Sequence, residues 1–229
     1  MPDVRIATAG DAAITAEFPR RIAPEINRRV LAVAGAIGRR CGSSLRDVVI
    51  GYSTVTVYFD PLAVDAAWIE DELRRATSEP PAADTSAREI VDVPVCYGDD
   101  LGPDLDDVAR FARSSAADVV ARHSAITYTV YLVGFVPGFA YMAEVDPRIA
   151  APRRASPRTE VPAGSVAIAG GQTGIYPSVT PGGWNIIGRT PLKPYDPARD
   201  DPFLFQPGHR VRFHQILRAE FDSCSSWDR

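Results

Sequence analysis

Hydrophobic positions in the first third of the chain follow a strand period and then a helix period, twice in succession. Short runs of β-branched residues indicate strands, and apolar residues spaced three to four apart indicate amphipathic helices. Gly10-Asp11 marks a hairpin turn, Pro24 suits a first helical turn, and Gly42 follows the helix end. In chain order the pattern predicts two strands, a helix, two strands and a helix, at residues 4–8, 13–18, 24–41, 47–51, 54–59 and 64–76.

A polar, proline-bearing segment separates this region from the rest of the chain. Residues 81–89 show no hydrophobic period, so we expect a linker there between an α/β domain at 1–80 and a second domain at 90–229. The apolar run at 90–95 predicts a strand directly after the linker. Counted with the N-terminal elements, this strand produces an order that resembles a split β-α-β-β-α-β unit.

The second domain opens with acidic residues and two short helices. Aspartates at 99, 100, 104, 106 and 107 accompany a predicted buried stripe of Leu105, Val108 and Phe111. This favours a helix N-terminus over a divalent-cation site, because the spacing matches no EF-hand loop. Ser115 with Asp118 resembles a capping box, and the helix that it begins ends at His123. Residues 127–133 predict a central strand with bulky side chains on both faces, and 203–205 and 211–216 predict closing strands.

Residues 134–193 form the most distinctive stretch of the chain. Eight prolines and nine glycines leave no room for an interior helix, and interspersed aromatic and β-branched residues argue against disorder. We therefore expect short strands and fixed turns that form a rigid surface, in a mostly β domain. The fold class predicted for the whole chain is α+β.

Composition narrows the range of functions. A net charge of −4 with both signs well mixed gives no electrostatic reason to expect nucleic acid or an anionic membrane as a partner. Three cysteines without metal-ligand spacing indicate neither a disulfide framework nor a zinc site. With no signal-peptide pattern and no long apolar run, we expect a cytoplasmic protein without a metal site or prosthetic group.

Three features of the sequence carry possible chemistry. The run Ala169–Gly174 is no P-loop, but its backbone N–H groups can surround an anionic oxygen, unless it is a plain turn. Arg158 lies between prolines and is the preferred anion clamp, since a guanidinium binds carboxylate or phosphate through two hydrogen bonds. His123 has the residue type for proton transfer, and a hydrogen-bonded core histidine is an equally ordinary explanation. No Gly-x-Ser-x-Gly elbow supports a serine nucleophile.

Four blocks in this region also resemble the signature of a known family. They are GFVPGFAYM, the pair Pro147-Arg148, PRTEVPAGSVAIAGGQTGIYP and PGGWNIIGRTPL. The family is the KipI family, also called allophanate hydrolase subunit 1 or the B-type subunit of 5-oxoprolinase (PxpB). The resemblance implies an N-terminal α/β domain followed by a cyclophilin-like β-barrel domain that carries residues 134–193.

The same resemblance implies a function. It is that of a subunit of an ATP-dependent 5-oxoprolinase, which hydrolyses 5-oxo-L-proline to L-glutamate and is inactive without its partners. The implied partners are an A-type subunit (PxpA) and a C-type subunit (PxpC, or allophanate hydrolase subunit 2), with ATP and Mg²⁺ bound at the level of the complex. Two alternatives stay open: a regulatory protein that inhibits a sensor histidine kinase, and a subunit that hydrolyses allophanate.

The motifs and the resemblance together select the candidate site residues. We expect His123 to relay a proton, Arg158 to hold an anionic group and Gln172 to orient it. Amphipathic aromatic residues beside glycine turns are typical of pockets for small polar ligands. The expected substrate-binding residues are Phe139, Tyr141, Gly170, Gly171, Thr173, Tyr176, Trp184 and Arg189.

Overall fold

The structure, a computed structural model, describes residues 4–79 and 90–224 of the chain. The chain divides into two compact units, Met1–Ala87 and Arg88–Arg229. The linker predicted at residues 81–89 lies outside the described residues.

The N-terminal unit is a four-stranded antiparallel sheet packed against two helices. All six predicted elements are confirmed: β1 Arg5–Thr8, β2 Ala13–Glu17, α1 Pro24–Cys41, β3 Leu45–Ile50, β4 Thr54–Phe59 and α2 Ala66–Ser78. The strand order is β1-β2-β4-β3. Alternate strand residues such as Val55 and Val57 meet the apolar helix stripes that contain Val30 and Leu73, and all four side chains are fully buried.

The C-terminal unit is a closed seven-stranded β-barrel, which confirms the predicted fold class. The barrel order is β10-β7-β6-β13-β5-β12-β9. The elements of this unit are β5 Ile90–Tyr97, α3 Leu105–Ala112, α4 Ala116–Ser124, β6 Thr127–Val133, β7 Ala140–Ala143, β8 Arg158–Val161, β9 Ser165–Ala169, β10 Gln172–Ile175, β11 Thr180–Gly182, β12 Asn185–Arg189, β13 Arg210–Gln215 and α5 Arg218–Cys224.

The strand β5 differs from the predicted arrangement. It pairs with β12 and β13 in the barrel, so the N-terminal unit has the order β-β-α-β-β-α rather than the split β-α-β-β-α-β pattern. An apolar run with strand propensity shows that a strand forms but does not select its partners, because partner choice depends on contacts distant in sequence.

The Pro- and Gly-rich region folds as predicted into short strands and turns, with one short 3-10 turn at Pro147–Ile149. Its strands β7, β9, β10 and β12 belong to the barrel, and β8 with β11 forms a separate two-stranded sheet. The capping box at Ser115 and Asp118 and the central position of β6, between β7 and β13, are also confirmed. Residues 203–205 contribute only an isolated bridge from Phe203 to Tyr195, and the pattern did not predict α5.

Within residues 4–79 and 90–224, no helix combines the length and apolar character needed to cross a membrane.

Candidate functional site

A buried carboxylate organises one side of the motif region. Asp104 directly precedes α3, and its side chain is 2% exposed. Its two oxygens accept hydrogen bonds from Arg154 Nη1 at 2.6 Å, from Arg158 Nη1 and Nη2 at 2.8 Å each, and from the Ile186 backbone N–H at 2.7 Å. One carboxylate thus binds two guanidinium groups, and the cluster keeps a net positive charge.

This cluster changes two interpretations of the sequence. Asp104 was expected to complement a helix dipole, but its side chain makes no capping hydrogen bond and pairs with the two arginines instead. Arg158 was expected to clamp a ligand anion, and both of its terminal nitrogens are occupied by Asp104. These hydrogen bonds raise the pKa of the Arg158 guanidinium. The anion that Arg158 holds in this structure belongs to the chain itself.

A cleft of about 450 Å³ opens beside the cluster. One wall is α3, which contributes Asp107 and Phe111, and the other is the segment from Ala151 to Ser156. Asn185 also lines the cleft. The Asn185 amide holds this segment in place by donating to the carbonyls of Pro152 and Ile168. The volume lies within the range of pockets that bind small molecules.

Two adjacent arginines line the cleft. Arg153 is exposed, and its guanidinium carbon lies 5.9 Å from the centre of the Trp184 ring, as in a cation–π contact. Arg154 is bonded to Asp104 through Nη1 alone, and its Nε is buried without a hydrogen-bond partner among the described residues. The exposed guanidinium group of the cleft is therefore that of Arg153, whereas Arg154 is tied to Asp104.

The expected aromatic residues do come together. Phe139 contacts Tyr141, Tyr176 and Trp184, with ring centroids 4.7, 5.1 and 5.5 Å apart. Phe139, Tyr176 and Trp184 are at most 4% exposed and belong to one apolar cluster, whereas Tyr141 is partly exposed. This arrangement makes the first three residues part of the packed wall below the surface.

His123 lies inside the barrel and is fully buried. The Thr173 hydroxyl donates to the Ala167 carbonyl at 3.0 Å, so its oxygen accepts from His123 Nε2 at 2.9 Å. The other ring nitrogen, Nδ1, then accepts from the Tyr97 hydroxyl at 2.8 Å. Every polar atom of the ring is satisfied in the neutral form, and burial lowers the pKa of His123 to about 3.

This environment favours the alternative of a hydrogen-bonded core histidine over a proton relay at the surface. Thr173 is likewise fully buried, and its hydroxyl is engaged by His123 and Ala167. Both residues hold the α4 helix against the strand pair β9-β10.

The glycine motif forms the tight turn of the β9-β10 hairpin. Gly170 adopts a positive φ of 57°, and its N–H donates to the Ala151 carbonyl. The Gly171 carbonyl accepts from the Val145 N–H, and Gln172 begins β10 opposite Ala169. The Gly170 N–H is therefore already hydrogen-bonded within the chain, in agreement with the plain-turn interpretation. Gln172 is partly exposed at the end of the hairpin.

Arg189 lies at the end of β12, where its Nε donates to the Ala163 carbonyl at 2.7 Å. This bond ties β12 to the turn before β9. No set of three or more His, Cys, Asp or Glu side chains within the described ranges is arranged to hold a metal ion.

Sequence reasoning did not select Asp104, Phe111 or Asn185 as site residues. From the sequence alone, Arg153 and Arg154 are equally well explained as part of a positive cluster and as a solvated pair. Phe111 was counted in the buried stripe of α3, yet it is 51% exposed. The available signals were an apolar residue near the end of a short helix and, in a separate part of the chain, the adjacent pair Arg153-Arg154.

Comparison with known proteins adds a family. The carboxyltransferase domain family, subdomain C and D, matches residues 4–205. The B-type subunit of 5-oxoprolinase from Bacillus subtilis (strain 168) is 35% identical over 227 residues, covering 95% of each chain. The B-type subunit of 5-oxoprolinase from Escherichia coli O157:H7 is 44% identical over 170 residues, covering 73% of this chain and 76% of its own length.

A solved structure shows the same fold. The crystal structure of TTHA0988 in space group P6522 aligns with a TM-score of 0.79 and 38% identity over 90% of this chain. The chain spans about two fifths of the length of that protein, since the alignment covers 40% of it.

Proposed function

The chain belongs to the family of B-type subunits of 5-oxoprolinase, and from this membership we propose that it is one subunit of a complex that hydrolyses 5-oxo-L-proline to L-glutamate. The similarity over 95% of both chains to a protein with that name is the observation that carries the proposal. The partners in this proposal are an A-type and a C-type subunit.

The chemistry explains why such an enzyme consumes ATP. Resonance stabilises the lactam amide, so water adds to it slowly. Phosphorylation of the lactam oxygen by ATP, with Mg²⁺ and release of ADP, would make the ring carbon electrophilic. One water would then add, and the ring C–N bond would break with protonation of the nitrogen, which leaves an acyl phosphate. A second water would hydrolyse the acyl phosphate to L-glutamate and phosphate. We assign no ATP site to this chain and place ATP at the level of the complex.

Within this proposal the predicted catalytic residues receive specific roles. Arg158 acts through Asp104, which it holds beside the cleft, and is a positioning residue. His123 is also a positioning residue. Its hydrogen bond to Thr173 holds the strand β10, which begins with Gln172. Gln172 is partly exposed at the end of the β9-β10 hairpin and is proposed to contact substrate in the assembled complex.

The test is ADP release on addition of 5-oxo-L-proline. The purified chain alone is compared with the chain mixed with its candidate A-type and C-type subunits. We expect turnover in the mixture only. Arg158→Ala is then assayed in the assembled complex, and unchanged turnover would remove Arg158 from the proposal.

Other outcomes identify the alternatives. If an assembled mixture turns over allophanate but not 5-oxo-L-proline, the substrate is allophanate. If the mixture assembles and turns over neither compound, the oxoprolinase proposal fails. Copurification with a sensor histidine kinase instead of a C-type subunit would support the regulatory function.

A further inference from the structure

Two short sequences of the chain place a pair of arginines just before a hydroxyl group. They are RRAT at residues 74–77 and RRAS at residues 153–156. Basophilic protein kinases select arginines at the second and third positions before a serine or threonine, because carboxylates in the substrate groove of the kinase bind the guanidinium groups. The two sequences are equivalent in this respect, and the structure separates them.

The first sequence lies inside a helix, and its polar groups are engaged. It belongs to α2, where the Thr77 hydroxyl donates to the Arg74 carbonyl at 3.0 Å. Arg74 pairs with Glu70, and Arg75 pairs with Glu72 at 2.9 Å. A kinase binds its substrate segment in an extended conformation, so α2 would have to unwind before Thr77 could react.

The second sequence lies on the surface, in the segment that forms one wall of the cleft. Residues 150–157 form neither helix nor strand. Ser156 is exposed, and its hydroxyl forms no hydrogen bond with any residue that the structure describes. Pro157 follows directly and disfavours a helical conformation at Ser156. The hydroxyl of Ser156 is therefore accessible in the folded chain.

The arginine side chains of the second sequence are also available to a partner, Arg153 fully and Arg154 in part. Arg153 is exposed and forms no ion pair within residues 4–79 and 90–224. Arg154 is paired with Asp104, and its side chain is 31% exposed. Between residues 153 and 156, one backbone hydrogen bond, from the Arg154 N–H to the Gly183 carbonyl, joins the segment to the other described residues. A kinase thus has little structure to displace around Ser156.

The charges around the cleft favour a phosphate on Ser156, which itself lines the cleft. The charged groups that line the cleft, together with the charged residues paired to them, are Asp104, Asp107, Arg110, Arg153, Arg154 and Arg158. Four guanidinium groups thus accompany two carboxylates. Phosphoserine carries about two negative charges at neutral pH, which would offset this surplus of positive charge.

We propose that Ser156 is a phosphorylation site for a basophilic serine kinase, and that the phosphate occupies the cleft beside Arg153. The kinase transfers the γ-phosphoryl group of ATP to Ser156 Oγ. The bond from the γ-phosphorus to the bridging oxygen breaks, the Oγ–P bond forms, ADP leaves, and the hydroxyl proton is released. The phosphate then accepts hydrogen bonds from the Arg153 guanidinium and fills part of the cleft. The inference concerns the chain alone and stands whether or not the oxoprolinase proposal is correct.

The first experiment measures which hydroxyl reacts in the folded full chain. The chain is incubated with MgATP and the catalytic subunit of the cAMP-dependent protein kinase, a basophilic kinase, and phosphate is counted and located by mass spectrometry. We expect one phosphoryl group per chain, on Ser156. The variant Thr77→Ser removes the difference in residue type between the two sequences. In that variant Ser156 should still react at least tenfold faster than position 77.

Variants of single arginines test recognition by the kinase. Arg153→Gln removes a charge that has no ion-pair partner among the described residues, so the fold is retained, and we expect kcat/KM of the kinase for the chain to fall at least tenfold. Arg212→Gln is the matched control, because it removes the same charge from an exposed pair with Asp92 on the barrel, and kcat/KM should be unchanged.

The second experiment locates the phosphate after transfer. The phosphorylated chain is titrated with acid and followed by ³¹P NMR, and phosphorylated Arg153→Gln is prepared by longer incubation with more kinase. A neighbouring guanidinium favours the dianion of phosphoserine, so we expect the phosphate to titrate at a lower pH in the wild type than in Arg153→Gln. In Arg212→Gln it should titrate at the same pH as in the wild type.

Three results would overturn the inference. The first is the absence of phosphate on Ser156 in the folded chain: a peptide of residues 149–161 that does react would show that the fold conceals the hydroxyl, and one that does not would show that the sequence is not recognised. The second is equal rates at position 77 and Ser156 in Thr77→Ser. The third is the same phosphate titration in the wild type and Arg153→Gln, which would place the phosphate away from Arg153. None of these results depends on turnover by a complex.

Discussion

Individual glycines mark the places where two segments of the barrel unit approach most closely. Gly102 lies in the turn before α3, and a Cβ added there would lie 2.2 Å from the Ile187 carbonyl oxygen on β12. Gly171, at the tip of the β9-β10 hairpin, has no atom within 4 Å of a built Cβ and no positive φ. The two glycines therefore differ in the space available for a Cβ atom, and neither is required by a positive φ.

Alanine substitutions test this difference. Gly102→Ala forces backbone away from backbone, and we expect a loss of about 3 kcal/mol in the free energy of unfolding. Gly171→Ala should change it by less than about 0.5 kcal/mol. Urea unfolding followed by circular dichroism measures both, and equal effects of the two substitutions would contradict the close approach of Gly102 to β12.

The buried residue His123 makes the stability of the fold depend on pH. The neutral ring is buried with both nitrogens bonded, and its folded pKa of about 3 lies below the unfolded value of about 6.5. Between these two pKa values the unfolded state binds a proton that the folded state does not bind. The contribution of the neutral His123 ring to the free energy of unfolding is therefore fully present above pH 6.5 and is lost as the pH falls from 6.5 to 3. The contribution lost at pH 5 is about 2 kcal/mol.

The variant His123→Gln removes the titration and keeps an amide that can bond to Thr173. We expect it to be less stable than the wild type at pH 8 and to lose less stability than the wild type between pH 7 and pH 5. Urea unfolding at several pH values gives the two slopes. Carboxylates titrate in both proteins, so parallel slopes would show that His123 is not buried in its neutral form.

At the scale of elements, Asp104 holds four segments together. It joins the start of α3 to Arg154 in the cleft wall, to Arg158 at the start of β8 and to the Ile186 N–H on β12. A carboxylate buried to this degree is stabilising only while its partners remain. The geometry of the cleft therefore depends on this charge.

The substitution Asp104→Asn leaves two partly buried guanidinium groups without their anion. We expect a loss of about 3 kcal/mol in the free energy of unfolding. The matched control is Asp92→Asn, which removes the same charge opposite Arg212 from a pair whose side chains are 47% and 53% exposed, and which should cost less than about 1 kcal/mol. If both variants unfold at the same urea concentration, Asp104 does not organise the cleft.

Most of the helices and strands could be predicted from the sequence. Periodicity predicted the six N-terminal elements, and the capping box at Ser115 predicted the start of α4, because these signals act between residues close in the chain. The partner strands of β5 could not be predicted, since its hydrogen bonds to β12 and β13 join residues about a hundred positions apart. Local patterns determine local structure, and pairing is decided by the whole fold.

The candidate site was less predictable for the same reason. The aromatic cluster around Phe139 and Trp184 could be expected from one Pro- and Gly-rich region, and it does come together. The partner of Arg158 is Asp104, which lies 54 positions away and was assigned to a helix dipole. A guanidinium selects a carboxylate by geometry, and sequence alone does not show whether that carboxylate belongs to a ligand or to the chain.

At the scale of the whole molecule, each unit has its own buried core. The N-terminal core contains residues from Ile14 to Ala76, and the main barrel core contains residues from Val93 to Phe213. The chain divides between these cores, at Ala87 and Arg88. A unit of this size with a separate core is expected to fold as a cooperative domain.

We therefore expect the fragment 88–229 to fold without the first unit. Its thermal unfolding should be a single cooperative transition by near-ultraviolet circular dichroism, because the barrel closes through pairs between its own strands. A fragment without a cooperative transition would mean that the barrel needs the first unit to fold.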